Sequence, residues 1–242
     1  MQKEKWRVYY KKRLNLLIKR NSWQQVFVYS VCGVCVVCLI AYFFYRSVWS
    51  LIPLFPLAME VVFYLDKERY EHTKGVMYTA GCLAMAYGYD VDKAMLAGLL
   101  HDCAKCIPTK EKFDLCDKHH ILVSTIEHEN PGLLHAKLGA VLAEEIYNIK
   151  NPDILHAIKV HTTGEANMNL LDKIIFVADY IEPKRCEAPR LGELRQIAFH
   201  DLDRCVAEIL YDTLHFLKNK KGAIDPATQL TYEYYKQFRK EA

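Results

Sequence analysis

Most of this chain lacks a surplus of either charge. Its 32 lysines and arginines stand against 29 aspartates and glutamates, a formal net charge of +3. Much of that excess sits in residues 1–20, where eight basic side chains face Glu4 alone. The remainder is near neutral, which excludes a general nucleic-acid-binding surface. Internal repeats are absent, and so is strand-like alternation bounded by hairpin turns. A cysteine framework is missing too: nine cysteines are an odd number, and their spacing matches no small secreted scaffold, so they read as reduced thiols. Cys32, Cys35 and Cys38 lie in an uncharged apolar run, where small polarisable residues pack helices together. Cys103-x-x-Cys106 has no second CxxC partner, which argues against zinc.

Apolar residues make up 52% of the 242 positions, enough for one sizeable core or for a core plus a small membrane segment. No charged residue occurs from Asn21 to Tyr45. Val26–Tyr45 alone would form a helix about 30 Å long, the thickness of a bilayer's hydrocarbon core. A second apolar stretch, Ser47 to Leu65, is interrupted by Pro53, Pro56 and Glu60. The basic arm, residues 1–24, predicts a cytoplasmic N-terminus by the positive-inside rule; a single transmembrane helix would then place everything after residue 46 outside, and a two-helix hairpin over 25–65 returns the chain to the cytoplasm. The competing reading makes Leu57–Arg69 the first helix of the soluble domain. These patterns predict attachment to the cell membrane, with the domain at 66–242 on the cytoplasmic side.

From Asp66 onward the apolar residues recur with a helical period. Val76, Ala80, Leu83, Ala84 and Tyr87 share one face, and Gly88 follows as a stop. Similar patterns cover roughly 92–104, 133–148, 152–161, 168–181, 201–219 and 226–240, which predicts an all-α globule.

Candidate chemistry lies where histidines and aspartates punctuate these segments: His72, the pair His101-Asp102, His135, His161 and Asp179. Asp179 follows the apolar run Ile174–Ala178 and so lies on or beside a buried face, where an unpaired carboxylate is costly and a cation offsets the cost. A structural salt bridge is the competing explanation. Imidazole with carboxylate suits iron, manganese, zinc or nickel. Neighbouring residues on a helix point about 100° apart, so His101 and Asp102 flank one metal, or Asp102 bridges two. His119, His120, His128, His156, His200 and His215 fall outside this constellation.

The order His, His-Asp, His, His, Asp is similar to that of the HD phosphohydrolase superfamily. Within it, "RYEHTKGV", "AGLLHDCAK", "LLHAKLGA", "HTTGEANMNLLDKIIFVADYIEPKR" and "DLDRCVAEILYDTLHFL" resemble the YqeK family of bacterial symmetrical diadenosine tetraphosphate hydrolases, over about Leu65 to Pro226. The resemblance implies that His72, His101, Asp102 and Asp179 hold iron or a similar metal such as manganese. It also implies that Arg69, Asp102, Lys105, His135, His161, Thr162, Asp179 and Arg185 meet the nucleotide, with the segment around Ile224 enclosing it. His135 and His161 either contact phosphate or bind a second metal. The expected mechanism has Asp102 orient and deprotonate water while Lys105 and Arg185 stabilise charge on the scissile phosphates. The implied ligand is a dinucleoside polyphosphate or an ADP-like nucleotide, and a homodimer is left open. Glu165 departs from the basic residue that relatives often carry there. Rival readings are another HD activity, a nucleotidase or phosphodiesterase, and a membrane-anchored nucleotide sensor.

Overall fold

A computed structural model describes residues 67–220 and 224–239, all in helices, turns and connecting segments. The basic arm and the 25–65 membrane segment lie outside the described residues. The elements are α1 (Lys67–Tyr87), α2 (Val91–Leu100), α3 (Thr109–Lys118), α4 (Thr125–Glu129), a 3-10 turn (Pro131–Leu133), α5 (Leu134–Tyr147), α6 (Pro152–Val160), α7 (Leu170–Ile181), α8 (Leu191–Ala198), α9 (Leu202–Asn219), α10 (Pro226–Tyr235) and a closing 3-10 turn (Lys236–Phe238). No described helix is long and apolar enough to cross a membrane.

Helix α7 forms the axis. Leu171, Ile174, Ile175, Val177 and Ala178 have no exposed surface, because α7 packs against α1, α2, α6, α8 and α9. A helix covered on so many sides must be apolar nearly all round, which is what "IIFVA" supplies. Its start is fixed by a capping box: the Asn169 side chain accepts from the Asp172 N–H at 3.0 Å, and Asp172 accepts from the Asn169 N–H at 3.0 Å. Ile174→Ala should therefore cost about 2–5 kcal/mol, the range for truncating a large aliphatic in a packed core. Urea unfolding checks this; a loss under about 1 kcal/mol would mean that the site collapses around the gap.

Helices α5, α6, α7 and α9 agree with the periodicity to within about two residues, as does α10 when the closing 3-10 turn is counted with it. Gly88 does follow the end of α1, at φ +66°. The segment expected as helix over 92–104 differs. Regular helix stops at Leu100, and residues 101–106 form successive turns with bonds from Cys103 N to Leu100 O and from Lys105 N to Asp102 O. Gly98 lets α2 lie against α1, since a Cβ there would sit 3.0 Å from Met77 Cα. The i to i+3 bonds after Leu100 wind the chain more tightly than the α-helix before them.

Three described helices have no counterpart in the expected set. In α3, "TKEKFDLCDK", only Lys112, Leu115 and Cys116 are buried, too few to show a period. Helix α4 is five residues long and rests on a Ser124–Glu127 capping box. Helix α8 starts after Arg190, at φ +52°, whose guanidinium is held by Glu208 at 2.9 Å and Asp212 at 2.8 Å.

Candidate metal centre

Four elements deliver one imidazole each to a common point. His72 lies inside α1. His101 and His161 are the C-caps of α2 and α6, and His135 is the second residue of α5. Ring centroids fall 5.4 Å apart for His72–His101, 5.1 Å for His101–His161 and 5.0 Å for His135–His161. His101, His135 and His161 are almost wholly buried. Asp102 is buried beside them, and Asp179 reaches in from the last turn of α7 with its side chain 25% exposed, at the edge of the buried face.

The tautomers follow from the acceptors behind each ring. Nδ1 of His101 donates to Gly98 O at 2.7 Å, that of His135 to Gly132 O at 2.5 Å, and that of His161 to Ile158 O at 2.7 Å. Nδ1 of His72 donates to Glu182 Oε1 at 3.1 Å. The Nε2 atoms of His101, His135 and His161 therefore carry lone pairs when the rings are neutral, and that of His72 does so once its ring gives up the second proton that its carboxylate neighbours favour; all four point inward.

What they meet is more lone pairs. His72 Nε2 lies 3.1 Å from Asp179 Oδ1 and 3.9 Å from Asp102 Oδ2; His101 Nε2 lies 3.6 Å from Asp102 Oδ2 and 4.0 Å from Asp179 Oδ1. His72 Nε2, His101 Nε2 and Asp102 Oδ1 are buried without a hydrogen bond. Acceptors facing acceptors in a buried site repel, and a cation between them removes the cost. Among the described residues, the ligand atoms of His72, His101 and Asp102 lie within 4.8 Å of one another, as do those of His101, His161 and Asp179 and those of Asp102, His135 and His161. These residues fit a divalent metal.

The outer pair is different. His135 Nε2 lies 3.1 Å from His161 Nε2, but Lys105 Nζ donates to His135 Nε2 at 3.1 Å. Thr162 Oγ1 stands 3.2 Å from His135 Nε2 and 3.1 Å from His161 Nε2, so its proton serves one of them. Asp102 divides its oxygens between the two groups: Oδ2 faces His72 and His101, while Oδ1 is 3.1 Å from His135 Nε2.

Electrostatics sharpen the picture. Burial pushes the His101 imidazole down to about 4, against the pull of Asp102 and Asp179. Burial likewise lowers His135 to about 4. Burial also acts to lower His72, but the carboxylates of Asp179, Glu182 and Asp102 outweigh it and raise it. Burial alone would raise Asp102, yet His101, His135, His161 and Lys105 hold it well below the usual carboxylate range. Asp179 is depressed in the same way, its burial outweighed by His72, His101 and His161. Neutral imidazoles and ionised carboxylates are the forms that bind metal.

Three cations rim this centre, each with about a third of its side chain exposed. Arg69 Nη1 donates to Asp102 Oδ2 at 2.8 Å, Lys105 Nζ lies 3.7 Å from Asp102 Oδ1, and Arg185 donates to Asp179 Oδ1 at 3.0 Å and to its main-chain oxygen at 3.1 Å. Thr162 also opens onto a cavity of about 550 Å³, walled by Thr163, Ile224, Pro226, Ile126 and Leu133, with Lys137 and Lys159 on its lining. Ile224 thus reaches the centre only across this cavity, whereas the other residues singled out in the sequence converge directly. Glu182 was not among them. Its signal was its spacing, three residues after Asp179, which places both at the end of α7 near one another.

The HD domain family matches residues 69–184. The chain is 40% identical over 170 residues to a symmetrical bis(5'-nucleosyl)-tetraphosphatase of Bacillus subtilis, covering 70% of this chain and 90% of that protein. It is 43% identical over 169 residues to the protein of the same name from Halalkalibacterium halodurans, covering 70% and 89%. A solved structure from Clostridium acetobutylicum, described as a predicted HD superfamily hydrolase involved in NAD metabolism, superposes with a TM-score of 0.70 at 38% identity, covering 74% of this chain and 96% of that one.

Proposed function

We infer that this chain, which belongs to the HD family and within it to the symmetrical bis(5'-nucleosyl)-tetraphosphatases, hydrolyses diadenosine tetraphosphate to two ADP. The observation that carries the reading is a buried lone-pair cluster, rimmed by Arg69, Lys105 and Arg185, beside a cavity large enough for a nucleoside. The anionic phosphates of such a substrate need cationic donors, and its bases need an apolar cleft.

His72, His101, Asp102 and Asp179 would hold the metal, which we take to be iron or manganese from the mixed imidazole and carboxylate set. When bound, such a metal supplies Lewis acidity and lowers the pKa of water. Asp102, kept ionised by the histidines around it, accepts a hydrogen bond from the attacking water and orients it. Its low proton affinity makes it an orienting acceptor that does not retain the proton of the attacking water, which leaves with the ADP products or to bulk water. Lys105 and Arg185 face the phosphates on either side of the breaking bond. Thr162 joins the centre to the cavity, where Ile224 and Pro226 pack against one nucleoside. Because the cavity takes a nucleoside and the cations span its attached phosphates, attack falls in the middle of the chain of four.

A second cation at His135 and His161 is the alternative occupant of the outer pair, favoured by the way Asp102 turns one oxygen to each group. It would displace Lys105 from His135. Metal analysis of the pure protein separates the two: one ion per chain leaves the outer pair to phosphate, and two ions fill it.

Purified protein given diadenosine tetraphosphate with Fe²⁺ or Mn²⁺ should release ADP as the sole nucleotide, with label from heavy-oxygen water in one of the two molecules. ATP plus AMP would rule out central cleavage, and no turnover with any metal would leave a nucleotide sensor as the better reading.

We also propose that residues 25–65 attach the enzyme to the cell membrane, with the catalytic domain in the cytoplasm. The support is the uncharged stretch Asn21–Tyr45 behind eight basic residues, followed by the apolar stretch Ser47–Leu65. The protein should stay in the membrane pellet after alkaline carbonate, and a reporter fused after Ala242 should work only in the cytoplasm. Release by carbonate would leave surface attachment instead of spanning.

A further inference from the structure

We infer that Glu182 is a positioning residue for the metal centre: its buried carboxylate fixes the tautomer and aim of His72 and thereby the affinity of the centre for a divalent cation. This rests on the metal-centre reading and adds a residue to it.

The four histidines solve the same problem in two ways. His101 and His161 close α2 and α6 and anchor Nδ1 on a carbonyl three residues back, Gly98 or Ile158, where last-turn carbonyls lack an intrahelical partner. His135 uses Gly132 in the 3-10 turn ahead of α5. His72 cannot do this, because it lies within α1 and the carbonyls before it belong to the helix ladder. Its acceptor must come from another element.

Glu182, the C-cap of α7, provides it at 3.1 Å and is itself only 2% exposed. The carboxylate is held from behind. Its other oxygen accepts the Lys184 N–H at 2.6 Å, and its main-chain carbonyl accepts from Arg195 Nη2 at 2.9 Å and from the Arg185 N–H at 3.1 Å. Helix α1 is shaped to receive it. Gly75 follows His72 by three residues, and a Cβ there would collide with Glu182 Oε2. The glycine is needed for close approach, not for backbone freedom.

A carboxylate on Nδ1–H makes Nε2 a stronger donor to metal and stops the ring from turning. Residues 179–182 thus serve the centre twice, Asp179 from inside and Glu182 through His72.

The test is metal affinity of the full chain, measured without substrate. Stripped protein is titrated with Co²⁺, read by its visible absorption, and with Mn²⁺ by equilibrium dialysis. Glu182→Gln should bind about 10-fold more weakly and Glu182→Ala about 100-fold more weakly, the range for losing an outer partner of a metal-bound histidine. Gly75→Ala should weaken binding from the other side, by pushing the carboxylate off His72 with every charge retained. The metal-free thermal midpoint of Glu182→Gln should match wild type, which a merely structural role would not allow alongside weaker metal binding. If Glu182→Ala fails to fold, Glu182→Gln and Gly75→Ala decide. Wild-type affinity in both would overturn the role of Glu182 alone. Absence of any metal uptake by the wild-type protein would overturn the metal centre with it.

Discussion

Asp179→Ala is expected to lose bound metal and diadenosine tetraphosphate hydrolysis together. The carboxylate faces His72 Nε2 at 3.1 Å and His101 Nε2 at 4.0 Å, and it is the oxygen donor that α7 brings to those two rings. Removing it takes a ligand and not a supporting group, so affinity should fall by more than the roughly 10–100-fold that an outer partner costs. Arg185 gains nothing in compensation, because its bond to Oδ1 is lost and only the one to the main-chain oxygen remains. Elemental analysis of the purified variant gives the first readout and turnover the second. Full metal content in Asp179→Ala would strike it from the ligand set, and its contact with Arg185 would then be the structural salt bridge that its sequence context also allows. Asp179→Asn separates charge from shape: it keeps the oxygen and should retain part of the metal.

Part of this centre is legible in the amino-acid sequence. The helical period locates α7 because a central helix leaves no polar face to confuse the pattern, and Asp179 stands out against it for the same reason. The pair at 101 and 102 is visible as residues but not as geometry. His101 keeps helical dihedrals as the C-cap of α2 and the bonds after it tighten the chain, so the two side chains meet one cluster because α1, α5, α6 and α7 bring partners to the pair, which the local sequence does not show. Helices α3 and α4 leave little trace, burying few side chains each, whereas α8 carries a helical period in Leu191, Leu194, Ile197 and Ala198 but is only about two turns long. Local pattern cannot show an element whose apolar contacts all come from elsewhere in the chain. Glu182 is hidden differently: a glutamate before a proline at a helix end looks like an exposed cap. Its burial follows from Gly75, more than a hundred residues earlier, and only tertiary structure joins the two.

Lys105→Ala should leave metal content unchanged and slow the chemical step by about 10²–10³-fold, the usual cost of removing one donor aimed at developing charge. Nζ lies 3.7 Å from Asp102 Oδ1 and donates to His135 Nε2, so it stands beside the cluster and takes no part in ligating. A protonated amine cannot coordinate a cation, which is why metal should stay when it goes. Its side chain is a third exposed, giving it room to turn from His135 toward an incoming phosphate. The loss should appear in kcat and in kcat/KM alike, since the contact strengthens as the bond breaks. Lys105→Arg, which restores the charge with a wider head, should recover part of the rate. A rise in KM with kcat unchanged would make Lys105 a ground-state phosphate contact, and loss of metal in Lys105→Ala would show that it holds Asp102 in place for the metal instead of serving the reaction.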